Sequence, residues 1–275
     1  KTMRRVIIAL ALFVAFAVCQ RVDLSMPAID ADMIAELNKD ETRTWEAGVN
    51  EVFIGKTYAE VRDMLISRDF FAINEEVDVA PESNVAAPTS FDSRQQWPKC
   101  IHPIRDQARC GSCWAFAASE VLSDRSCIAG KDVGVLSPQY LVSCDFSDYG
   151  CQGGYLTNSW AFLVKTGIPT DSCYPYTSGS GARGQCLTKC HDGSALVLHK
   201  ASKYYLTGSV EATMTDIAAH GPAEAGFSVY QDFLSYKSGV YQHRSGGLLG
   251  GHAVKIVGWG VEGSTPYWIV ANSWN

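Results

Sequence analysis

The apolar positions at the start of the chain form one unbroken run. Residues 6–18 are all apolar and follow a basic start that contains Lys1, Arg4 and Arg5. A basic start followed by an apolar run of this length is the pattern of a secretory signal peptide, and the run is too short to span a bilayer. A buried core helix is the alternative. We expect a signal peptide over residues 1–19 and no membrane association after its removal.

Residues 20–86 have a helical pattern. Thr57 and Glu60 are spaced as a capping box, and apolar residues follow them at helical spacing. Between residues 80 and 88 the chain is rich in Pro, Ala, Ser and Asn, which indicates an exposed linker. The helical segment is therefore either a small domain or a removable segment ahead of the unit at residues 87–275.

Two patterns in that larger unit predict a helix and a hairpin. Apolar residues after Cys113 recur at helical spacing, which predicts an amphipathic helix with Ser112 as its N-cap. Residues 253–259 are mostly apolar and β-branched, which is typical of a strand. A turn at residues 261–264 and a second strand over residues 267–274 complete the predicted hairpin.

Charge is distributed unevenly along the 275 residues, whose net charge is −6. Residues 20–87 contain 6 basic and 15 acidic groups, whereas residues 88–275 contain 14 of each. The whole acidic excess therefore lies in the helical segment. A chain of this balance lacks the basic surface that nucleic-acid binding requires, so we expect no nucleic-acid partner.

The ten cysteines agree with export into an oxidising compartment. Cys19 falls in the expected signal peptide, and an odd number among the other nine leaves one thiol to explain. Cys113 is the candidate, because the first turn of a helix stabilises a thiolate through its free N–H groups and its dipole. The alternatives are that Cys113 is half of a disulfide or a buried apolar thiol.

His252 and Asn272 complete the candidate site. In the predicted hairpin, which is centred on Glu262, His252 would lie opposite Asn272. An Asn oxygen can then accept the imidazole N–H and leave the other ring nitrogen facing a nucleophile. The remaining histidines show no comparable arrangement: His102, His191, His199, His220 and His243.

Several stretches of the chain together carry a family resemblance. They are Thr44–Asn50, Thr89–Pro98, Gln107–Trp114, Cys151–Tyr155, Phe227–Tyr230, Tyr236–Tyr241, Gly251–Ala253 and Asn272–Trp274. They resemble the papain-like cysteine proteases, specifically the cathepsin B-like branch. The resemblance implies an α+β, two-lobed fold with a helical lobe, a β-barrel-like lobe and a cleft between them.

The same resemblance implies an inhibitory propeptide over residues 20–86 and a papain-like peptidase domain over residues 87–275. Cys113 would be the nucleophile, His252 its base and Asn272 the residue that orients the base. The oxyanion hole would consist of the Gln107 side-chain amide and the Cys113 backbone N–H. No cofactor and no metal ion is implied.

Further residues are assigned only by the resemblance. It implies substrate contacts at Gly153, Gly154, Gly251, Ala253 and Trp274, with Trp274 shielding the contact between His252 and Asn272. It also implies four disulfides, which are Cys100–Cys127, Cys110–Cys151, Cys144–Cys186 and Cys173–Cys190.

The chain departs from the family in three places. Only twelve residues, none of them His, separate Cys173 from Cys186, where cathepsin B has a longer occluding loop with two histidines. We therefore predict an endopeptidase without carboxydipeptidase activity, like the loop-less protozoan enzymes. Ala108 replaces a usual Gly beside the oxyanion hole. The family domain continues beyond Asn275, so the C-terminal end of the domain is expected to be missing.

Other functions remain open on the sequence alone. The chain could be a catalytically inactive truncated homologue or a binding or inhibitory protein. The Cys110-Gly-Ser-Cys113 motif could serve a thiol-disulfide oxidoreductase, although the surrounding pattern is not thioredoxin-like. A zinc site at Cys186, Cys190 and His191 has irregular spacing and lacks a fourth ligand.

The expected partners and location follow from these interpretations. The partners are protein and peptide substrates and the chain's own propeptide as inhibitor, and the protein is expected to be a monomer. The secretory route would lead to a lysosome-like or vacuole-like compartment or to the exterior. Because the segment at 20–87 is acidic and every histidine lies after it, acidification is a candidate trigger for propeptide release.

Overall fold

The computed structural model describes residues 22–73, 76–80 and 86–275. The expected signal peptide at residues 1–19 lies outside the described residues, as do residues 81–85 of the expected linker. The helices are α1 Ala31–Lys39, α2 Tyr58–Arg62, α3 Ser93–Gln96, α4 Cys113–Ile128, α5 Pro138–Cys144, α6 Leu156–Lys165 and α7 Val210–His220. The strands are β1 Trp45–Ala47, β2 Phe91–Asp92, β3 Ala223–Tyr230, β4 Tyr236–Gly239, β5 Leu248–Glu262 and β6 Thr265–Ala271.

One lobe is built mainly of helices and the other around a sheet, on which α7 also packs, and this confirms the α+β, two-lobed architecture. Strand β5 is the centre of an antiparallel sheet and pairs with β2, β3 and β6. Helices α4, α5 and α6 form the other lobe, and α4 packs directly against β5. Because Cys113 begins α4 and His252 lies on β5, the contact between the lobes brings the two residues to one cleft.

Helix α4 differs from the amphipathic helix that its apolar spacing predicts. It begins at Cys113, directly after the predicted N-cap, and ends at Ile128, but its first twelve residues are all buried. Its polar face is covered as well, because Glu120 and Asp124 contact the buried Lys255 of β5. The sheet lobe therefore covers the face that the pattern assigns to solvent.

The hairpin that carries His252 and Asn272 has a different register from the predicted one. Glu262 pairs with Thr265, so the loop has two residues, and Gly263 in it has a φ of 62°. A tight loop of this kind needs a residue that tolerates positive φ. The predicted pairing of His252 with Asn272 through strand register is wrong, since the ladder ends at Ala271.

The segment before residue 81 packs along the sheet lobe and into the cleft. Strand β1 pairs antiparallel with β4, and Trp45 packs between Tyr236 and Tyr241. The predicted capping box at Thr57 and Glu60 is present at the start of α2. In the part of the chain that the structure describes, no helix is both long and apolar enough to cross a membrane.

Four disulfides hold the larger unit together, and they join the pairs that the family resemblance implies. They are Cys100–Cys127, Cys110–Cys151, Cys144–Cys186 and Cys173–Cys190. Cys113 is the free cysteine of the described residues, and it is buried. A thiol outside the disulfide framework is thus available for chemistry.

Candidate active site

Cys113 lies at the first position of α4, after Ser112 in the N-cap position. The Ser112 side chain makes no capping hydrogen bond to the helix. The backbone N–H of Ala253 donates toward the Cys113 sulfur, yet burial raises the pKa of the thiol to about 12. In this closed form, burial outweighs the helix terminus that by itself would lower the pKa. The thiol is therefore protonated here.

The His252 imidazole is fixed by a single side-chain contact. Its Nε2 lies 2.7 Å from Oδ1 of Asn272, and that oxygen also accepts the Ser273 N–H at 2.7 Å. Because the oxygen can only accept, Nε2 carries the proton and Nδ1 is the free base. Nδ1 is buried and has no hydrogen-bond partner among the described residues.

Burial also determines the charge of His252. The Trp274 ring stacks on the imidazole, with a centroid distance of 4.2 Å. Burial lowers the pKa of His252 to about 4, against a smaller opposing effect of its bond to Asn272. The imidazole is therefore neutral in this form, and Trp274 covers its contact with Asn272.

Gln107 presents its amide to the same cleft. Its Nε2 donates to the Met64 carbonyl at 2.7 Å and to the Cys110 carbonyl at 2.8 Å. Its Oε1 accepts from the Ser273 hydroxyl at 2.6 Å, which fixes the orientation of the amide. Sequence reasoning missed the contribution of Ser273, although its place between Asn272 and Trp274 is a usable signal.

The residue after Gln107 has a strained backbone. Ala108 has a φ of 51°, in the left-handed region, and its N–H donates to Asp106 Oδ1 at 2.8 Å. A side chain in this region costs roughly 1–2 kcal/mol relative to ordinary conformations. The departure from Gly at this position therefore keeps the turn that carries Gln107 but adds strain to it.

Residues 64–71 fill the cleft. Ile66 exchanges two backbone hydrogen bonds with Gly251, at 2.9 and 2.7 Å, as an added strand would. The Phe71 ring covers the α-carbon of Gly251, and the Phe70 ring covers that of Gly153. Side chains at either glycine would collide with these rings. The predicted substrate-binding glycines Gly251 and Gly153 thus line the occupied cleft.

The α-carbon of Gly154 faces the helical lobe, whereas that of Gly153 faces the cleft. A Cβ on Gly154 would lie 2.6 Å from the Trp114 ring and 2.9 Å from the Asp148 carboxyl carbon, inside the helical lobe. Its missing side chain permits close packing behind the cleft. Of the predicted substrate residues, Gly153, Gly251, Ala253 and Trp274 border the cleft itself, whereas the α-carbon of Gly154 faces the interior.

Two carboxyl groups that sequence reasoning missed support this part of the cleft. Asp148 Oδ1 accepts the Tyr155 N–H at 2.8 Å and the Asn158 side chain at 3.1 Å. Asp145 and Asp148 influence each other's titration, and burial raises the pKa of Asp148 to about 7. The usable signal in the sequence is the pair Asp145 and Asp148, which lies between Cys144 and the motif at Cys151.

The loop between Cys173 and Cys186 remains on the helical lobe. Gln139 Oε1 accepts the N–H groups of Thr177 and Ser178, and the Gly179 carbonyl accepts the Arg109 N–H. The loop contains no histidine. It therefore places no imidazole over the cleft.

The cysteine partners bear on two alternative functions. Cys110 is bonded to Cys151, so it cannot form a redox pair with Cys113. Cys186 and Cys190 are each bonded to another cysteine, which removes the thiolates that a zinc site would need. No group of three acidic, His or Cys side chains in the described ranges is arranged to hold a metal ion.

Comparison with known proteins agrees with this geometry. The papain family cysteine protease domain matches residues 87–275. The chain is 45% identical to Cathepsin B-like CP3 of Giardia intestinalis over 261 residues, which cover 91% of this chain and 86% of that protein. It is 38% identical to cathepsin B-like cysteine proteinase 4 of Caenorhabditis elegans, over 89% of this chain and 83% of that protein.

Solved structures of protease precursors superpose on this chain. Procathepsin B S9 from Trypanosoma congolense superposes with a TM-score of 0.84 at 33% identity, and the match covers 91% of this chain and 89% of that one. The recombinant stem bromelain precursor has a TM-score of 0.71 at 26% identity, over 89% of this chain and 77% of that one. With its cathepsin B-like relatives, the chain belongs to the papain family of cysteine proteases.

Proposed function

We propose that this chain is the zymogen of a cysteine-type endopeptidase, with Cys113 as nucleophile, His252 as base and Asn272 as the residue that orients the base. The contact that carries the proposal is the 2.7 Å bond from His252 Nε2 to Asn272 Oδ1. It leaves Nδ1 as the free base, and the next residue, Ala253, contacts the Cys113 sulfur. A nucleophile beside a base that a third group orients is the signature of covalent catalysis.

In the open cleft, the Cys113 thiol gives its proton to His252 Nδ1, and the thiolate attacks the carbonyl carbon of a peptide bond. The resulting imidazolium then protonates the leaving amine as the C–N bond breaks. His252 next removes a proton from water, which hydrolyses the thioester and restores the thiol. Asn272 keeps the ring in the orientation that both transfers need.

The oxyanion of the tetrahedral intermediate would bind the Gln107 side-chain amide and the Cys113 backbone N–H. Each donor of this kind is typically worth about 3–4 kcal/mol of transition-state stabilisation. The Met64 carbonyl supports this role, because it already accepts from Gln107 Nε2. A backbone carbonyl oxygen thus occupies the place that a substrate oxygen would take.

Substrate would bind as an extended strand. Gly251 is the proposed backbone partner, since it already exchanges two hydrogen bonds with Ile66. Gly153 and Ala253 would border the bound chain on its two sides, and Trp274 would keep water from His252. Gly154 would contribute through its backbone, because its α-carbon faces the interior.

Residues 20–86 would act as the inhibitory propeptide. Within this segment, residues 64–71 fill the cleft and would keep Cys113 and His252 in their neutral forms. The proposed route is the secretory pathway, to a lysosome-like or vacuole-like compartment or to the exterior. Among the described residues, one ion pair joins the segment to the domain, at 4.0 Å between Asp40 and Arg244. Release by neutralisation of propeptide carboxylates would therefore act at Asp40, and also at Glu60, on which Arg109 of the domain acts.

Endopeptidase specificity rests on the loop between Cys173 and Cys186. A carboxydipeptidase needs a positive group to receive the free carboxylate of its substrate. This loop supplies no histidine, and its cation Arg183 donates to the Asp145 carbonyl and lies over the Phe146 ring. Its backbone is anchored to Gln139 on the helical lobe. The activated protein should cleave blocked peptides faster than it removes C-terminal dipeptides, and the reverse preference would contradict the assignment.

The decisive experiment is active-site labelling of the full chain after acid activation. A peptidyl epoxide should modify Cys113 irreversibly, as mass spectrometry of the modified peptide would show, and hydrolysis of blocked peptides should stop. Cys113→Ala should abolish both labelling and hydrolysis, whereas Ser172→Ala, on the exposed side of the helical lobe, should leave both unchanged. A wild-type protein that neither labels nor hydrolyses would favour the inactive or inhibitory alternative.

A further inference from the structure

The hydroxyl of Tyr176 bridges two segments of the catalytic cleft. Its oxygen lies 2.8 Å from the Gln107 carbonyl and 2.9 Å from the Ser112 hydroxyl. The carbonyl can only accept, so the single phenol proton goes to Gln107. Ser112 must then donate its own proton to Tyr176. Both bonds therefore have one direction, and the phenol oxygen links Gln107 to the N-cap of α4.

These two partners carry the proposed oxyanion donors. The Gln107 side chain supplies one donor, and Ser112 directly precedes Cys113, whose N–H supplies the other. We propose that Tyr176 is a positioning residue that fixes the separation of the two oxyanion donors, an inference that rests on the proposed function. Tyr176 itself does not touch the reacting atoms in this arrangement.

The surroundings of Tyr176 explain why such a bridge is needed. The turn that carries Gln107 includes the strained Ala108, with its φ of 51°, and a strained turn holds its shape only when neighbours restrain it. The loop of Tyr176 supplies that restraint. It is anchored to Gln139 at Thr177 and Ser178, and it accepts the Arg109 N–H at 3.1 Å through Gly179.

The state of the phenol agrees with a donor role. Burial raises the pKa of Tyr176 to about 12, so the hydroxyl keeps its proton throughout the range in which the protein would act. The ring also packs edge-on against Phe116, with a centroid distance of 4.7 Å. A purely packing role for the ring is the competing explanation, and a variant that keeps the ring distinguishes the two.

Tyr174 provides a matched control within the same Tyr-Pro-Tyr sequence. Its hydroxyl donates to the Gln185 carbonyl at 2.7 Å and accepts the Leu187 N–H at 2.9 Å. Tyr174→Phe therefore removes two hydrogen bonds of similar length from the same loop, without touching Gln107 or Ser112. Tyr176→Phe removes the bridge and keeps the contact with Phe116.

The test compares the wild type and both variants as full chains activated at acidic pH. The measurements are kcat and KM for a blocked peptide, the inhibition constant of a peptide aldehyde, and the rate at which iodoacetamide alkylates Cys113. Hydrolysis and the aldehyde adduct place a negative or polarised oxygen in the oxyanion hole, whereas alkylation does not. Displacement of the oxyanion donors should therefore slow hydrolysis and weaken aldehyde binding, but leave the alkylation rate of Cys113 unchanged.

For Tyr176→Phe we expect kcat to fall about tenfold or more, less than the complete loss of a donor. Aldehyde affinity should fall in parallel, while KM and the alkylation rate stay within about twofold of wild type. Tyr174→Phe should leave kcat and aldehyde affinity unchanged. An unchanged kcat in Tyr176→Phe, or equal losses in both variants, would overturn the proposal. An inactive, unlabelled wild type would instead refute the proposed function, and this inference with it.

Discussion

At the scale of single residues, burial determines where the protons of the candidate site lie. In the closed chain Cys113 keeps its proton and His252 stays neutral, with its one ring proton on Nε2 and none on Nδ1, because neither charged form is solvated. Passing one proton from sulfur to imidazole produces the reactive ion pair without net proton uptake. Opening of the cleft, rather than a change of pH at these two residues, should therefore activate the pair.

This predicts slow modification of Cys113 in the unprocessed chain. At neutral pH, far below a pKa of about 12, almost no thiolate is present, and residues 64–71 also block access. Iodoacetamide should alkylate Cys113 at least about 100-fold more slowly before processing than after it. Timed alkylation followed by peptide mass spectrometry measures both rates, and equal rates would contradict the assignment of residues 20–86.

Asp148 predicts an unusual pH dependence of stability. Its pKa rises from an ordinary 3.8 to about 7 on folding, so the folded chain holds a proton that the unfolded chain releases between those values. The free energy of unfolding must then decrease as pH rises from 3.8 to about 7, and change little from this group above that. Arg183 acts on Asp145, and Asp148 in turn acts on the buried carboxyl of Glu224, whose pKa burial raises well above its ordinary value.

Asp148→Asn removes the titrating group and keeps an oxygen for the Tyr155 N–H. Denaturant titrations of the full chain across this pH range should show a flatter dependence in the variant than in the wild type. Asp192→Asn is the surface control, since Asp192 is exposed and its pKa is lowered rather than raised. An equal slope in wild type and Asp148→Asn would refute the role of Asp148.

At the scale of elements, strand β1 attaches the segment before residue 81 to the sheet lobe. Trp45 is buried between Tyr236 and Tyr241, and its indole N–H donates to the Gln242 carbonyl at 2.9 Å. Loss of a buried Trp side chain typically costs about 3–5 kcal/mol of stability. The pairing of β1 with β4 therefore depends largely on one side chain.

Trp45→Ala should detach the segment and activate the chain at neutral pH. Hydrolysis of a blocked peptide, followed over time after secretion at pH 7, should begin much earlier in the variant than in the wild type. Glu46→Ala is the matched control, because Glu46 is the neighbouring residue of β1, is exposed, and makes only a 3.4 Å contact with Ser238. Identical activation times for Trp45→Ala and wild type would show that β1 does not retain the segment.

At the scale of the whole molecule, a buried charge cluster joins the two lobes. Lys255 of β5 lies 2.7 Å from Asp124 and 3.4 Å from Glu120 of α4, and His102 contacts the other oxygen of Asp124 at 2.7 Å. Lys255 lies on the same strand as His252, and Glu120 and Asp124 lie on the same helix as Cys113. It therefore fixes the helix and the strand that carry the candidate catalytic pair.

Lys255→Ala should destabilise the protein by about 3–5 kcal/mol, because it leaves Asp124 and Glu120 buried without their cation. Chemical denaturation monitored by tryptophan fluorescence measures the loss. Lys39→Ala, which removes an exposed pair with Glu36, should cost far less, because solvent screens that pair. Similar costs for the two variants would show that the inter-lobe cluster adds no stability.

Much of the candidate site was predictable because its signals are local. Cys113 follows a helix N-cap, and the capping box at Thr57 and Glu60 is a four-residue pattern that forms as expected. The hairpin could be predicted but not its register, since the two-residue loop follows Glu262 rather than being centred on it, and the ladder shifts again between Ile256 and Gly258. The burial of the polar face of α4 was missed because Lys255 is distant in sequence.

The sequence by itself determined which side chains could carry the chemistry, and that one thiol falls outside the disulfides, because residue types and short spacings encode both. Only the tertiary structure decided that the Met64 carbonyl accepts a hydrogen bond from the Gln107 amide and that Tyr176 links Gln107 to Ser112. It also decided that the pKa of Asp148 is raised to about 7. These properties depend on burial and on contacts between residues distant in the chain. No local sequence pattern specifies the distance between such residues or how far folding buries them from solvent.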